Sequence, residues 1–150
     1  MDKKLNSAIV AFTEKFSEEK LLELLRKSIG DDPSDTLTII ADKGLHHIPK
    51  ELCIGETYVF SSGQINVETD STTQRFLVER MRELAKVLKE KNWTKVRIIV
   101  SGHALLSMQI KLLVYRILHI DSEDIAYFGP DGYRTISVNF RKDVLLASDS

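Results

Sequence analysis

The chain has 150 residues, of which 43% are hydrophobic and 29% are charged, as expected for one globular domain with its own core. Its net charge is −1, with 21 basic against 22 acidic residues, so no overall field would attract duplex nucleic acid or an anionic membrane. The single cysteine, Cys53, has no disulfide partner in the chain, and no apolar run approaches the roughly 18 residues that span a bilayer. We therefore expect a cytoplasmic protein.

The first 30 residues have the spacing of amphipathic helices. Apolar residues recur every three or four positions between residues 5 and 29, and Ser17, followed by two acidic residues, is typical of a helix start. We expect two helices, at about 3–15 and 18–29, or one bent helix, ended by the turn at residues 30–33.

The rest of the chain alternates short strands with helices. Strands are predicted at residues 36–41, 58–61, 96–100, 125–128 and 136–140, and helices begin near residues 70 and 103. Alternation of this kind indicates parallel pairing through right-handed crossovers, whereas the turn at 129–132 makes the last two strands antiparallel. The sequence thus predicts a single α/β domain with N-terminal helices over 1–30. Over 36–147 we expect a three-layer Rossmann-like sandwich with a mostly parallel sheet of about five strands and an antiparallel edge.

Polar turns follow two of the predicted strands. In open α/β sheets ligands bind beyond the carboxyl ends of parallel strands, and free N–H groups at a following helix start suit a phosphate or carboxylate. We expect one polar cleft at this edge. Its predicted lining residues are Ser61, Ser62, Gln64, Ser101, Gly102 and His103. The alternative is that Ser101 caps the helix, Gly102 eases the turn, and the 61–64 stretch is a solvated loop.

Two further candidates follow the last turn. Tyr133 can stack on a base and Arg134 can clamp a phosphate, although exposed charges on an edge strand also discourage aggregation. Residues 42–47 follow the first strand and contain the pair His46 and His47. Adjacent histidines seldom chelate one ion and no zinc spacing completes the set, so we predict a solvated loop and no metal site or cofactor.

Residues 96–110 read VRIIVSGHALLSMQI, which is similar to the strand–turn–helix of SAVED and CARF domains. The resemblance extends over about residues 57–140, because the helical stretch before it and the strands after it follow the same order. It implies binding of a cyclic oligonucleotide second messenger in bacterial antiviral signalling. By position, residues 101–103 would contact a phosphate or ribose, with Ser61 and Ser62 lining the same pocket. It also implies a homo-oligomer or an effector protein partner to enclose the ligand.

Three functions remain open at this stage. The one we favour is a sensor or binding module for a nucleotide-type small molecule, with no catalytic residue. The second is a protein-interaction or inhibitor subunit on the same scaffold. The third is a small metal-independent nuclease or phosphodiesterase, with His103, His46 or His47 as its general acid or base. No phosphate-binding loop or hydrolase nucleophile motif supports the third. For all three we expect neither a membrane nor duplex nucleic acid as partner.

Overall fold

A computed structural model of the chain describes residues 3–22, 33–44, 47–63, 65 and 67–146. It divides into two compact units, Met1–Pro33 and Ser34–Ser150. No helix in these ranges is long and apolar enough to cross a membrane.

The first unit contains helix α1 (Lys3–Phe16) and, after a break, helical residues 18–22. The break is at Ser17, whose φ of 113° no helix accommodates. Ser17 Oγ accepts a hydrogen bond from the Lys20 N–H at 3.3 Å, so it caps the second helix, as predicted. The predicted continuation over residues 23–29, and most of the turn after it, lie outside the described residues.

The second unit is built on a five-stranded sheet in the order β2-β1-β3-β4-β5. The strands are β1 (Thr36–Ile40), β2 (Glu56–Val59), β3 (Lys95–Val100), β4 (Glu123–Tyr127) and β5 (Tyr133–Ser137). The first four run parallel to one another, and β5 pairs antiparallel with β4. The predicted Rossmann-like α/β fold, with a mostly parallel sheet and an antiparallel edge, is confirmed.

Two long helices, α2 (Asp70–Lys89) and α3 (Ala104–Leu118), cover one face of the sheet. α2 connects β2 to β3 and α3 connects β3 to β4, so both crossovers advance in the same direction along the sheet. Right-handed crossovers of the same direction place their helices on the same face. The main core forms there, from Leu84 and Leu88 of α2, Leu106, Ile110 and Val114 of α3, and Leu37, Ile39 and Ile98 of the sheet.

The connection from β1 to β2 covers the opposite face, because it advances in the opposite direction. It contains a 3₁₀ turn at Lys50–Leu52. Two buried strand side chains hold it: Thr38 Oγ1 donates to the Ile54 carbonyl at 2.6 Å, and Arg97 Nη1 donates to the Leu52 carbonyl at 2.8 Å. These bonds explain why polar residues lie inside otherwise apolar strands.

Arg97→Met is expected to lower the free energy of unfolding by about 2 kcal/mol, because methionine fills the space but leaves the Leu52 carbonyl without its charged donor. Chemical denaturation measures the loss. Lys95→Met is the matched control, since Lys95 lies on the same strand and forms an exposed ion pair, at 3.7 Å, with Glu123, which Arg97 also contacts. The control should cost less than about 1 kcal/mol. Equal losses would contradict this role of Arg97.

The last strand begins three residues earlier than the sequence pattern predicts, at Tyr133 instead of Ile136. The Phe128 N–H donates to the Gly132 carbonyl at 2.8 Å, which closes the turn and starts antiparallel pairing immediately after it. The predicted strand end at Phe140 is wrong, because Phe140–Leu145 forms a wide helical turn. Asn139 Oδ1 caps that turn by accepting from the Lys142 N–H at 2.9 Å.

Candidate functional site

The carboxyl ends of β1, β2 and β3 meet at one edge of the sheet, because the three strands are parallel neighbours. From β1 the chain moves outward to β2, whereas from β3 it moves the other way to β4. The two connections diverge on opposite faces and leave a crevice between the β1 and β3 ends, a topological switch point at which open α/β sheets bind ligands. We call residues 41–43, 61–63 and 101–103 the switch-point rim.

Ser101 ties together the two strands that flank the switch point. Its Oγ accepts from the Asp42 N–H at 3.0 Å and donates to the Asp42 carbonyl at 2.8 Å. A hydroxyl has one proton and two lone pairs, and Ser101 donates its one proton to the Asp42 carbonyl. It positions the rim and has only a lone pair to offer a ligand.

Asp42 lies at the centre of the rim, although the sequence pattern gives it no role beyond a solvated loop. Its Oδ1 accepts from the Gly63 N–H at 2.6 Å. Its side chain also lies against Gly102, where an added Cβ would be 2.5 Å from both Asp42 Cβ and Oδ2. Asp42 therefore joins the exits of all three strands. Its position directly behind a buried strand, level with the other two exits, is the signal that could have found it.

The exit of β2 contributes Ser61 and Ser62. Ser61 is 2% exposed, and its Oγ has no hydrogen-bond partner within the described residues. Its carbonyl accepts from the Lys43 N–H at 2.7 Å, which joins the β1 and β2 exits. Ser62 is exposed, and Gln64 lies outside the described residues.

His103 is exposed at the start of α3 and serves as its cap. Its Nδ1 accepts from the Leu105 N–H at 3.2 Å, which requires that nitrogen to be unprotonated. The His103 side chain is therefore held at the first turn of α3 by a bond within the protein.

Tyr133 and Arg134 lie at the same edge of the sheet but away from the switch point. With strands about 4.8 Å apart, β5 is roughly 10 Å from β3 and roughly 19 Å from β2. The Tyr133 ring is 5.4 Å from that of Tyr127, and the Arg134 guanidinium lies 4.7 Å from the Phe128 ring centroid. The structure thus brings the predicted residues at 61–62 and 101–103 together, and places Tyr133 and Arg134 in two separate aromatic contacts away from them.

A groove of about 610 Å³ lies between α2 and α3. Each helix follows the exit of a strand and therefore begins at the edge of the sheet that carries the rim. The groove is lined by Asp70, Thr73, Gln74, Leu77, Val78, Met81, Arg82, Leu105 and Gln109. Its size is within the range of small-molecule sites, and it combines an apolar wall with several polar groups. The sequence pattern missed it, because only the packing of the two helices brings these residues together.

A second cavity, of about 950 Å³, lies between α3 and the residues that follow β5. Its one lysine, Lys111, donates to Ser122 Oγ at 2.9 Å, the Ser122 carbonyl at 3.3 Å and Asp124 Oδ2 at 2.7 Å. All three ammonium protons are used, so Lys111 has no donor left for a ligand. The remaining wall is largely apolar, with Met108, Leu112, Tyr115, Phe140 and Leu145.

Across the described ranges, no three His, Cys, Asp or Glu side chains come together as metal ligands. Burial raises the pKa of the Tyr58 hydroxyl, the Glu83 carboxylate raises it further, and Arg80 opposes both. Tyr58 is half-buried and packs against the main core.

The fold and the rim define a Rossmann-like α/β domain with a crevice at its switch point. Comparison with models of known protein families, with curated proteins and with solved structures finds no significant match. Folds of this type carry many functions, so the function depends on the residues of the site itself.

Proposed function

We propose that the chain is a binding module for a nucleotide-type ligand, held at the switch-point rim and in the adjoining groove between α2 and α3. The observation that carries the proposal is that a groove of ligand size begins at the edge of the sheet that contains the topological switch point. The resemblance to SAVED and CARF domains suggests a cyclic oligonucleotide and a role in bacterial defence signalling.

The groove offers complementary chemistry for a nucleobase. Leu77, Met81 and Leu105 provide an apolar wall against which a flat ring can pack. Gln74 and Gln109 come from different helices, and each amide can both donate and accept. That combination suits the edge of a base, which also alternates donors and acceptors.

The charged groups favour a particular orientation of the ligand. Asp70 can accept hydrogen bonds from sugar hydroxyls, and Arg82 can bind a phosphate through two parallel N–H groups. The Asp42 carboxylate already supplies negative charge beside Gly102, close to the start of α3. It would repel a phosphate there. Of the two contacts suggested for residues 101–103, phosphate or ribose, we therefore propose the ribose.

Binding without turnover is tested with a panel of cyclic dinucleotides, cyclic trinucleotides and linear oligonucleotides. A ligand at about 100 times its dissociation constant stabilises the fold by about 2.7 kcal/mol, which raises the melting temperature by roughly 5–10 °C. Chromatography should then recover the ligand intact. Recovery of cleaved ligand would favour the nuclease alternative, and no shift with any member of the panel would contradict the proposal in favour of an interaction subunit.

Gln109→Ala is expected to raise the dissociation constant of a ligand found in this way by about fivefold, because one hydrogen bond to the base is lost. Ser71→Ala is the matched control, since Ser71 is an exposed polar residue of α2 that does not line the groove. Calorimetry gives both constants. Equal affinities for Gln109→Ala and Ser71→Ala would place the ligand outside the groove.

A further inference from the structure

Within the described residues, β5 is the outermost strand on its side of the sheet. β5 pairs with β4 over all five of its residues, and no strand in the described part of the chain pairs with its other side. Strand edges in natural proteins are usually protected by charged side chains, above all lysine, by proline or by a bulge. β5 has no lysine or proline, and its one charged residue, Arg134, has its guanidinium over the Phe128 ring. As far as the described part of the chain extends, this edge is therefore available to another strand.

We propose that β5 pairs antiparallel with β5 of a second copy of this chain, joining the two sheets into one across a two-fold axis. When β5 pairs antiparallel with β5 of a second copy, the outward N–H and C=O groups of both strands form hydrogen bonds with each other. The contact is symmetric, so the assembly is complete as a dimer. The inference concerns self-association and does not depend on the ligand proposed above.

The charge pattern of β5 selects the register. With Thr135 on the axis, all five residues pair, and Arg134 lies opposite the partner's Ile136. A register centred on Arg134 would place two guanidinium groups face to face, which destabilises paired strands. The register centred on Thr135 is thus the self-complementary one.

An apolar patch continues from this edge. Its members are Ile136 (40% exposed), Phe140 (49%), Val144 (45%), Leu145 (66%) and Leu146 (62%). Together they offer on the order of 400–500 Å² of apolar surface, if each contributes about half of a large side chain. A stable interface buries about 800 Å² per partner, so the patch supplies about half and the paired strands supply much of the rest. In the register centred on Thr135, the patch of each copy lies level with the turn between β4 and β5 of the other copy. A whole second copy can therefore cover it, whereas an isolated peptide strand would leave it exposed.

The pairing has a consequence for the ligand site. Antiparallel pairing of β5 sends the switch-point rims of the two copies to opposite ends of the joined sheet. Each copy then keeps a complete rim and groove of its own. This dimer contains two independent sites, and its dissociation should leave ligand affinity unchanged.

Sedimentation of the full chain over a range of concentrations should show a monomer–dimer equilibrium. Thr135→Lys places two ammonium groups on the axis and should raise the dimer dissociation constant by about tenfold or more. Thr57→Lys is the matched control, because Thr57 is an exposed threonine of β2, the strand at the other edge of the sheet. It should leave the equilibrium unchanged, and circular dichroism checks that both variants fold. A monomeric wild-type chain at every concentration, or equal effects of the two substitutions, would overturn the proposal.

Cross-linking tests the register independently. In a Cys53→Ser background, Thr135→Cys should form a disulfide-linked dimer under mild oxidation, because paired residues on antiparallel strands have Cα atoms about 4.5–5.5 Å apart. Arg134→Cys is the control and should not cross-link efficiently, since its opposite residue is the partner's Ile136. Equal cross-linking at both positions would overturn the register.

Discussion

Gly102→Ala is expected to lower the free energy of unfolding by about 3 kcal/mol. Gly102 has a φ of 70°, a conformation that costs a residue with a Cβ about 1–2 kcal/mol. The new Cβ would also be 2.5 Å from Asp42 Cβ and Oδ2, so Asp42 must move and weaken its bond to the Gly63 N–H. That displacement adds about 1–3 kcal/mol. Urea denaturation of the purified variant measures the total.

Two further variants separate the cost of the positive φ at Gly102 from the cost of the contact with Asp42. Gly129 has a φ of 66° with no atom within 4 Å of an added Cβ, so Gly129→Ala should cost only about 1 kcal/mol. Asp42→Gly removes the side chain that Gly102→Ala would strike. In the double variant, Gly102→Ala should therefore cost no more than Gly129→Ala. Additive losses in that cycle would show that Asp42 is not the obstacle.

Phe60→Ala is expected to cost about 3–5 kcal/mol, the largest loss predicted for this chain, because a fully buried ring would leave a cavity. Phe60 directly follows β2, and its N–H donates to the Ile40 carbonyl at 2.9 Å. The cavity would open beneath Ser61, at the exit of the strand. The variant should consequently lose ligand affinity as well as stability.

Phe128→Ala is the matched control for this substitution. Phe128 is 42% exposed, and its ring contacts the Arg134 guanidinium. Removing the ring should therefore cost less than about 1.5 kcal/mol. Chemical denaturation of both variants under the same conditions measures the two losses in the free energy of unfolding. Losses of similar size for the two phenylalanines would contradict the core position of Phe60.

The central strands could be predicted because their residues carry the information locally. Thr36–Ile40 is an apolar, β-branched run, and all five of its residues are buried, as expected of a strand covered on both faces. Parallel direction then follows from the intervening helices, and with it the common edge at residues 42, 61 and 101. The sequence pattern misplaces the start of β5, because the bond from the Phe128 N–H to the Gly132 carbonyl closes the turn and lets antiparallel pairing begin at Tyr133.

The remaining parts of the site depend on contacts between distant segments. The groove needs α2 and α3 to lie side by side, although Gln74 and Gln109 belong to different crossovers. From the sequence alone, Arg97 is an unexplained charge within an apolar strand. Its role follows from its hydrogen bond to the Leu52 carbonyl, which only the fold brings into contact. Neither the groove nor the bond from Arg97 to Leu52 follows a periodic spacing in the sequence, so the sequence pattern could not predict them.

By itself, the sequence determined the types of the elements, their direction in the sheet and the chemistry present at each strand exit, because hydrophobic period and turn chemistry are properties of adjacent residues. Tertiary structure alone decided that Asp42 holds the rim together and that, within the described residues, no strand lies outside β5. Strand order is the physical reason: it brings Asp42 against Ser101, 59 positions away, and makes β5 the last strand on its side.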